Sequence, residues 1–214
     1  MNTAELIPFI RNIINEASVP GDSVASDFET VILDFIQAAA TQLASMPAYQ
    51  GSTSSLTAAA NVTFSARPDG MYYAVIKPGD DFLRPVSVIL SGWVRSVFQF
   101  EPAVGTPFLK QYSSVPGIGS GPDSPVAFVT TDQQALIIAH AVKTPGDYAL
   151  RYMAVPKIEA DGTLPVPAQY REPLAYTAAA LYLQSITEYN AAKAAFDVAA
   201  SIIQTINSKT NQQQ

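Results

Sequence analysis

Cysteine is absent from this 214-residue chain, which removes any disulfide framework and any thiolate metal site. Histidine occurs once, at His140 in the strand-like run ALIIAHAV. A Ser-His-Asp triad would need it beside a serine elbow, and no G-x-S-x-G is present. One histidine without cysteine also makes a poor zinc site, so His140 is expected as a partly buried strand residue with its ring hydrogen-bonded locally. Charge is scarce too: 14% of residues are charged, against about 25% in ordinary soluble proteins. A chain this poor in charge has difficulty covering its own surface, so part of that surface is expected against partners.

The charge that exists is acidic, with a net value of −6. The twelve basic residues are scattered from Arg11 to Lys209 without a run, which argues against a nucleic-acid-binding face. An acidic surface suits a conduit that DNA passes through without sticking. No apolar run approaches the roughly eighteen residues that a membrane span needs. The first residues, MNTAELIPFIRNIINEAS, lack a basic segment followed by a long apolar core, so they do not read as a secretory signal. The expectation is a soluble protein made in a cytoplasm.

Motifs that carry chemistry are equally thin. Gly117, Gly119 and Gly121 form G-x-G-x-G in PGIGSGPDSP, but Pro122, Pro125 and a strand follow, so no helix N-terminus faces a phosphate. No G-K-[ST] completes a P-loop. The stretch 112–125 reads as an exposed interaction loop. Asp80-Asp81 follow Pro78-Gly79 between two strands, which is turn chemistry rather than a hard-cation loop, and Arg84 is near enough in sequence to pair with one of them. Asn61-Val62-Thr63 matches a glycosylation acceptor that carries no weight without a secretory signal. No catalytic residue, cofactor or metal is expected.

What is present is helix, then strand, then helix, an α+β chain that forms one domain or one domain with a large insertion. Asn2-Thr3 suits the cap of a first helix from Ala4 to about Glu16, with Leu6, Ile10, Ile13 and Ile14 on one face. Pro20-Gly21 ends it. A second helix is expected from about Asp27 to Ser45, with Val31, Ile32, Phe35, Ile36, Ala39 and Leu43 as its stripe. Residues 49–69 are small and polar without period and read as a linker. Over 70–156, β-branched and aromatic runs (71–77, 85–90, 94–100, 126–130, 135–142 and 148–155) alternate with turn residues and predict an inserted antiparallel β domain. Trp93, Tyr72, Tyr73, Phe98 and Phe100 are first of all core, and secondly candidate interface anchors.

From Pro165 and Pro167 the chain turns helical and alanine-rich. Leu174, Ala178, Leu181, Ile186, Tyr189, Ala192, Phe196, Ala199, Ile203 and Ile206 recur at helical spacing. Ala175, Ala179, Ala180, Ala191, Ala194, Ala195 and Ala200 fill much of the remaining surface. Ala179 and Ala195 are the positions where small size is expected to let neighbouring helices come close. A continuous helix over 168–208 would span about 60 Å, so it either breaks near Thr187–Glu188 or reaches past its own domain. The predicted division is 1–48 and 157–208 as the two halves of a helical bundle, with 209–214 as a frayed tail.

The ordered features resemble a known family. Two helices, then P-G-D-D-F-L-R-P-V-S-V at 78–88 leading into a sheet, then P-x-x-Y-R-E-P-L-A-Y-T-A-A-A-L-Y-L at 167–183, are similar to the head-to-tail adaptor proteins of tailed phages. The likeness is greatest to the ring proteins of short-tailed and crAss-like phages. The resemblance implies a structural virion protein at the head–tail junction: one copy in a homo-oligomeric, often twelve-membered, ring beneath the portal. Its partners would be the portal protein, the adjacent tail ring or tail proteins, and DNA passing without specific binding, with no membrane. Other readings are a tail-completion or other tail ring protein, a ligand- or carbohydrate-binding β module carried on helices, and a hydrolase.

Overall fold

The computed structural model describes residues 1–17, 28–67, 69–110, 121–130 and 136–211. The chain forms two compact units: Met1–Ser52 with Val155–Gln214, and Thr53–Ala154. The first is helical and the second is built of strands, so the α+β class holds.

In the helical unit, α1 (Thr3–Ala17) starts where the Asn2 side chain accepts from the Ala4 amide at 2.9 Å. Its buried stripe is Leu6, Ile10, Ile13 and Ile14, as the spacing predicts. Pro8 inside it removes one helix hydrogen-bond donor. The N-terminal amine and Thr3 bind the carbonyls of Leu164 and Gly162, tying the first residues to the chain that leads into the closing helices. Helix α2 (Phe28–Ser45) buries Ile32, Ile36, Ala39, Ala40, Leu43 and Ala44, while Val31, expected in the stripe, is exposed. Gln37 of α2 holds the returning strand of chain: its amide nitrogen donates to the Pro156 carbonyl and its oxygen accepts from the Ile158 amide.

Pro167 starts a 3-10 turn, Ala168–Tyr170, that runs into α4 (Arg171–Ser185). Helix α4 packs against α1, α2 and α5 (Tyr189–Asn211). That central place explains its sequence. A helix surrounded on several sides is apolar nearly all round, and α4 buries Leu174, Ala175, Thr177, Ala178, Ala179, Ala180, Tyr182 and Leu183. Ala175, Ala179 and Ala180 are therefore core rather than surface filler; their small size admits neighbours from several directions. Aromatic edges complete the packing, Phe28 and Phe35 against Tyr182 at 5.3 and 5.9 Å.

The long closing helix does break. Ile186 to Glu188 separate α4 from α5, and Thr187 adopts φ 69°, the left-handed conformation that ends helices. Of the two outcomes expected for an over-long helix, this is the first. Helix α5 rests on Ala192, Ala195 and Ala199, with Phe196 half-buried, and Tyr189, placed in its stripe by spacing, is exposed. It continues to Asn211, so 209–211 are helical rather than frayed, and 212–214 lie outside the described residues.

The β unit contains two sheets. One has order β1-β8-β4, from Thr53–Leu56, Tyr148–Ala154 and Phe82–Leu90, all antiparallel. The other has order β2-β3-β7-β6-β5, from Val62–Ala66, Tyr72–Ile76, Ile137–Val142, Ala127–Val129 and Phe100–Pro102. Its β5–β6 pair is parallel, a departure from the all-antiparallel expectation. Both sheets contribute to one core: Ala74 and Ile76 of β3, Val88 and Leu90 of β4, Ala139 and Val142 of β7, and Leu150 and Tyr152 of β8.

The unit begins at Thr53, inside the stretch expected as a linker. Strand β1 is held by β8, with Arg151 donating to the Thr53 hydroxyl at 3.0 Å, and β2 is held by β3. Strand β1, TSSL, carries little strand signal of its own, whereas VTFSA of β2 alternates apolar and polar residues, a strand pattern inside the expected linker. Conversely, 94–100, expected as a strand, is largely irregular, and a short helix α3 (Gly105–Lys110) occupies a stretch expected as a turn.

Candidate interaction surface

The segment from β4 to α3 is where the β unit shows apolar side chains to its surroundings. Strand β4 ends in a turn with Gly92 at φ 81°, a conformation open to glycine because it has no Cβ. Trp93 donates its amide to the Leu90 carbonyl at 3.1 Å and buries its indole in the core. Val97 exchanges backbone bonds with Val88 in both directions and is also buried. The residues that follow these two anchors are turned outward: Val94 is 73% exposed and Phe98 69%. Farther along the same segment Val104 is 60% and Leu109 66% exposed. In α3, Phe108 does the opposite and sets its ring edge-on to Phe128 at 5.2 Å. The segment is thus pinned from inside by Trp93, Val97 and Phe108 and offers four large apolar side chains outside.

The sequence-predicted site residues fall differently. Trp93 is 7% exposed, so its indole belongs to the core rather than to a displayed surface. Tyr72 and Tyr73 are half-buried on β3. Gly117 and Gly119 lie outside the described residues. Gly121 sits in a turn closed by backbone bonds with Ser124, and a Cβ there would meet nothing. Ala179 and Ala195 are buried within the helical unit. Phe98 was among the aromatic residues expected as core or interface anchors, whereas Val94, Val104 and Leu109 were not singled out by sequence reasoning; the signal available was the repeat of apolar residues at 93–94 and 97–98, where only one of each pair can face inward.

The residues with titratable chemistry are structural. His140 is fully buried, not partly, with the rings of Tyr73, Phe108 and Phe128 at 6.2, 5.8 and 5.7 Å. Burial, and secondly the Arg67 charge, lower its pKa to about 4, so it stays neutral and enclosed near pH 7. Asp81 accepts a 3.0 Å hydrogen bond from Tyr152, whose phenol is raised by burial first and by Asp81 second. In the helical unit Tyr49 stacks on Tyr170 at 4.6 Å and is pushed up to about 12 by burial and then by Tyr170. Among the described residues no three His, Asp or Glu side chains gather as a metal site, and no helix is long and apolar enough to cross a membrane.

The apolar side chains displayed by the β unit offer a surface for contact. No curated protein matches the chain. The family of SU10 adaptor proteins matches it over residues 1–214. The chain therefore belongs to the SU10 adaptor protein family and is a phage adaptor, a structural protein of the virion.

Proposed function

We propose that this adaptor is a subunit of an oligomeric ring, of twelve copies as the family resemblance implies, that joins the portal to the tail and continues the DNA channel. A kinship with the ring proteins of short-tailed and crAss-like phages belongs to the same reading. The observation that carries it is the outward set of Val94, Phe98, Val104 and Leu109 on a chain whose whole length matches an adaptor family. Four large apolar side chains this exposed within one segment are what a contact with another protein would cover. Ring contacts are heterologous, so the display on one copy meets a different face on the next copy, on the portal or on a tail protein. The net charge of −6 favours a channel wall to which DNA does not adhere.

Native mass spectrometry and negative-stain microscopy of the chain mixed with its portal test this. Wild type is expected to give rings on the portal, and the double variant Val94→Asp with Phe98→Asp to give none while unfolding at the wild-type temperature. A chain that never joins the portal, or a double variant that assembles as wild type does, refutes the reading.

A further inference from the structure

Strand β2 is an edge of the five-stranded sheet, and the hydrogen-bond parity of its hairpin says which residues face outward. Arg67 donates to the Met71 carbonyl at 2.7 Å, and Lys77 donates to the Asn61 carbonyl at 2.8 Å. In an antiparallel ladder bonded pairs alternate, so residues 61, 63, 65 and 67 point their backbone groups at β3. Val62, Phe64 and Ala66 point theirs away. Among the described residues the Val62 N–H is taken by the Ala59 carbonyl, and no hydrogen bond reaches the Val62 carbonyl or either backbone group of Phe64 and Ala66.

Natural edge strands are usually blunted by charge, proline, a bulge or extreme shortness. At the opposite edge β5 is three residues long and carries Glu101 and Pro102. Strand β2 reads VTFSA over Val62–Ala66 and has none of these devices. Its register with β3 runs unbroken over all five residues.

We propose that β2 is a self-pairing edge, whose occupant is β2 of a second copy in antiparallel, two-fold register centred on Phe64. That register sets Val62 against Ala66 of the second copy, Phe64 against its own counterpart, and Ala66 against Val62. All three are outward residues: Phe64 and its counterpart exchange two backbone hydrogen bonds, and the Ala66 N–H of each copy donates to the Val62 carbonyl of the other. A strand whose outward residues sit symmetrically about its centre is complementary to itself, here with a free carbonyl at one end facing a free N–H at the other. The side-chain rows agree. On one face Phe64 meets Phe64, and on the other Thr63 meets Ser65, cross-strand pairs that favour pairing. Arg67 falls opposite Asn61, so no like charges meet. Edge β1, with four residues, offers only two outward residues and a weaker version of the same pairing. The contact is two-fold, whereas a ring contact is heterologous, so the proposal does not rest on the ring, and the two fail separately.

The test uses the full chain without portal. Sedimentation from about 1 μM to about 1 mM, the range of weak homodimers, should show a monomer–dimer equilibrium. Amide exchange should slow at Phe64 and Ala66 as concentration rises, while Val62, Thr63 and Ser65 stay constant. Thr63→Glu with Ser65→Glu sets two like-charge pairs across the interface and should weaken association by about tenfold or more. Thr63→Glu with Ser65→Lys turns the same pairs attractive and should associate close to wild type. A chain monomeric throughout, edge amides indifferent to concentration, or equal association of the two double variants overturns the proposal. Protection of the edge amides only on mixing with portal also overturns it, and assigns the edge to a strand from that protein. The wild-type exchange measurement stands even where a variant fails to fold.

Discussion

Acidification should destabilise the β unit through one residue. His140 lies in β7 with no exposed surface, enclosed by the rings of Tyr73, Phe108 and Phe128, and Arg67 is the charged group that acts on it. Arg67 is itself held by Asp69 at 2.7 Å on the β2–β3 turn. The pKa falls from 6.5 in an open chain to about 4 in the folded one. Between these values the unfolded chain binds a proton that the folded chain refuses, so unfolding is favoured as pH drops. The stability is intact above pH 6.5 and is lost progressively down to about pH 4. At roughly 1.4 kcal/mol per pH unit, the loss is about 3 kcal/mol, a large part of an ordinary domain's 5–15 kcal/mol. Trp93, the one tryptophan of the chain, sits in the core of this unit and reports its unfolding by fluorescence. Urea unfolding of wild type and His140→Phe at pH 7.5, 6, 5 and 4 isolates the term, because the carboxylates titrate in both proteins. Phenylalanine suits an aromatic enclosure, and any packing cost it brings is constant with pH. The wild type should lose about 3 kcal/mol more than the variant between pH 7.5 and 4. Parallel losses in the two proteins would refute the burial argument.

Three further outcomes follow from the helical unit. Gly51 lies so close to the Tyr49 ring that a Cβ would collide with it, and Tyr49 is fixed against Tyr170; Gly51→Ala should cost about 1–3 kcal/mol in urea unfolding. Ala179→Leu and Ala195→Leu should each lower stability by about 1–3 kcal/mol through overpacking, while Ala194→Leu, on the exposed face of α5, should stay within about 0.5 kcal/mol by the same assay. Thr187 holds a β-branched side chain at φ 69°, so Thr187→Gly should raise the thermal midpoint, with a gain of about 1 kcal/mol; an unchanged or lower midpoint would mean that the hydroxyl bond from Thr187 to the Ile186 carbonyl outweighs the strain.

Periodicity was readable where one face of an element meets one neighbour. Helix α1 packs chiefly on α4, and its buried apolar residues among those described are the four that spacing selects. Helix α4 does not meet that condition, because α1, α2 and α5 all pack on it, so its alanines were legible as close packing but not as the centre of the unit. Strand β1 was invisible for the reverse reason: TSSL at Thr53–Leu56 is placed by pairing with β8, whereas VTFSA at Val62–Ala66 alternates apolar with polar residues and carried a strand signal that the linker reading passed over. The interaction surface was the hardest part to read. Trp93 and Val94, then Val97 and Phe98, are apolar pairs in which either member could fill a core. The turn at Gly92 and the bonds between Val88 and Val97 decide the matter, and both depend on contacts with β4. Composition shows that this chain has apolar residues left over; only those bonds show that the surplus is Val94 and Phe98.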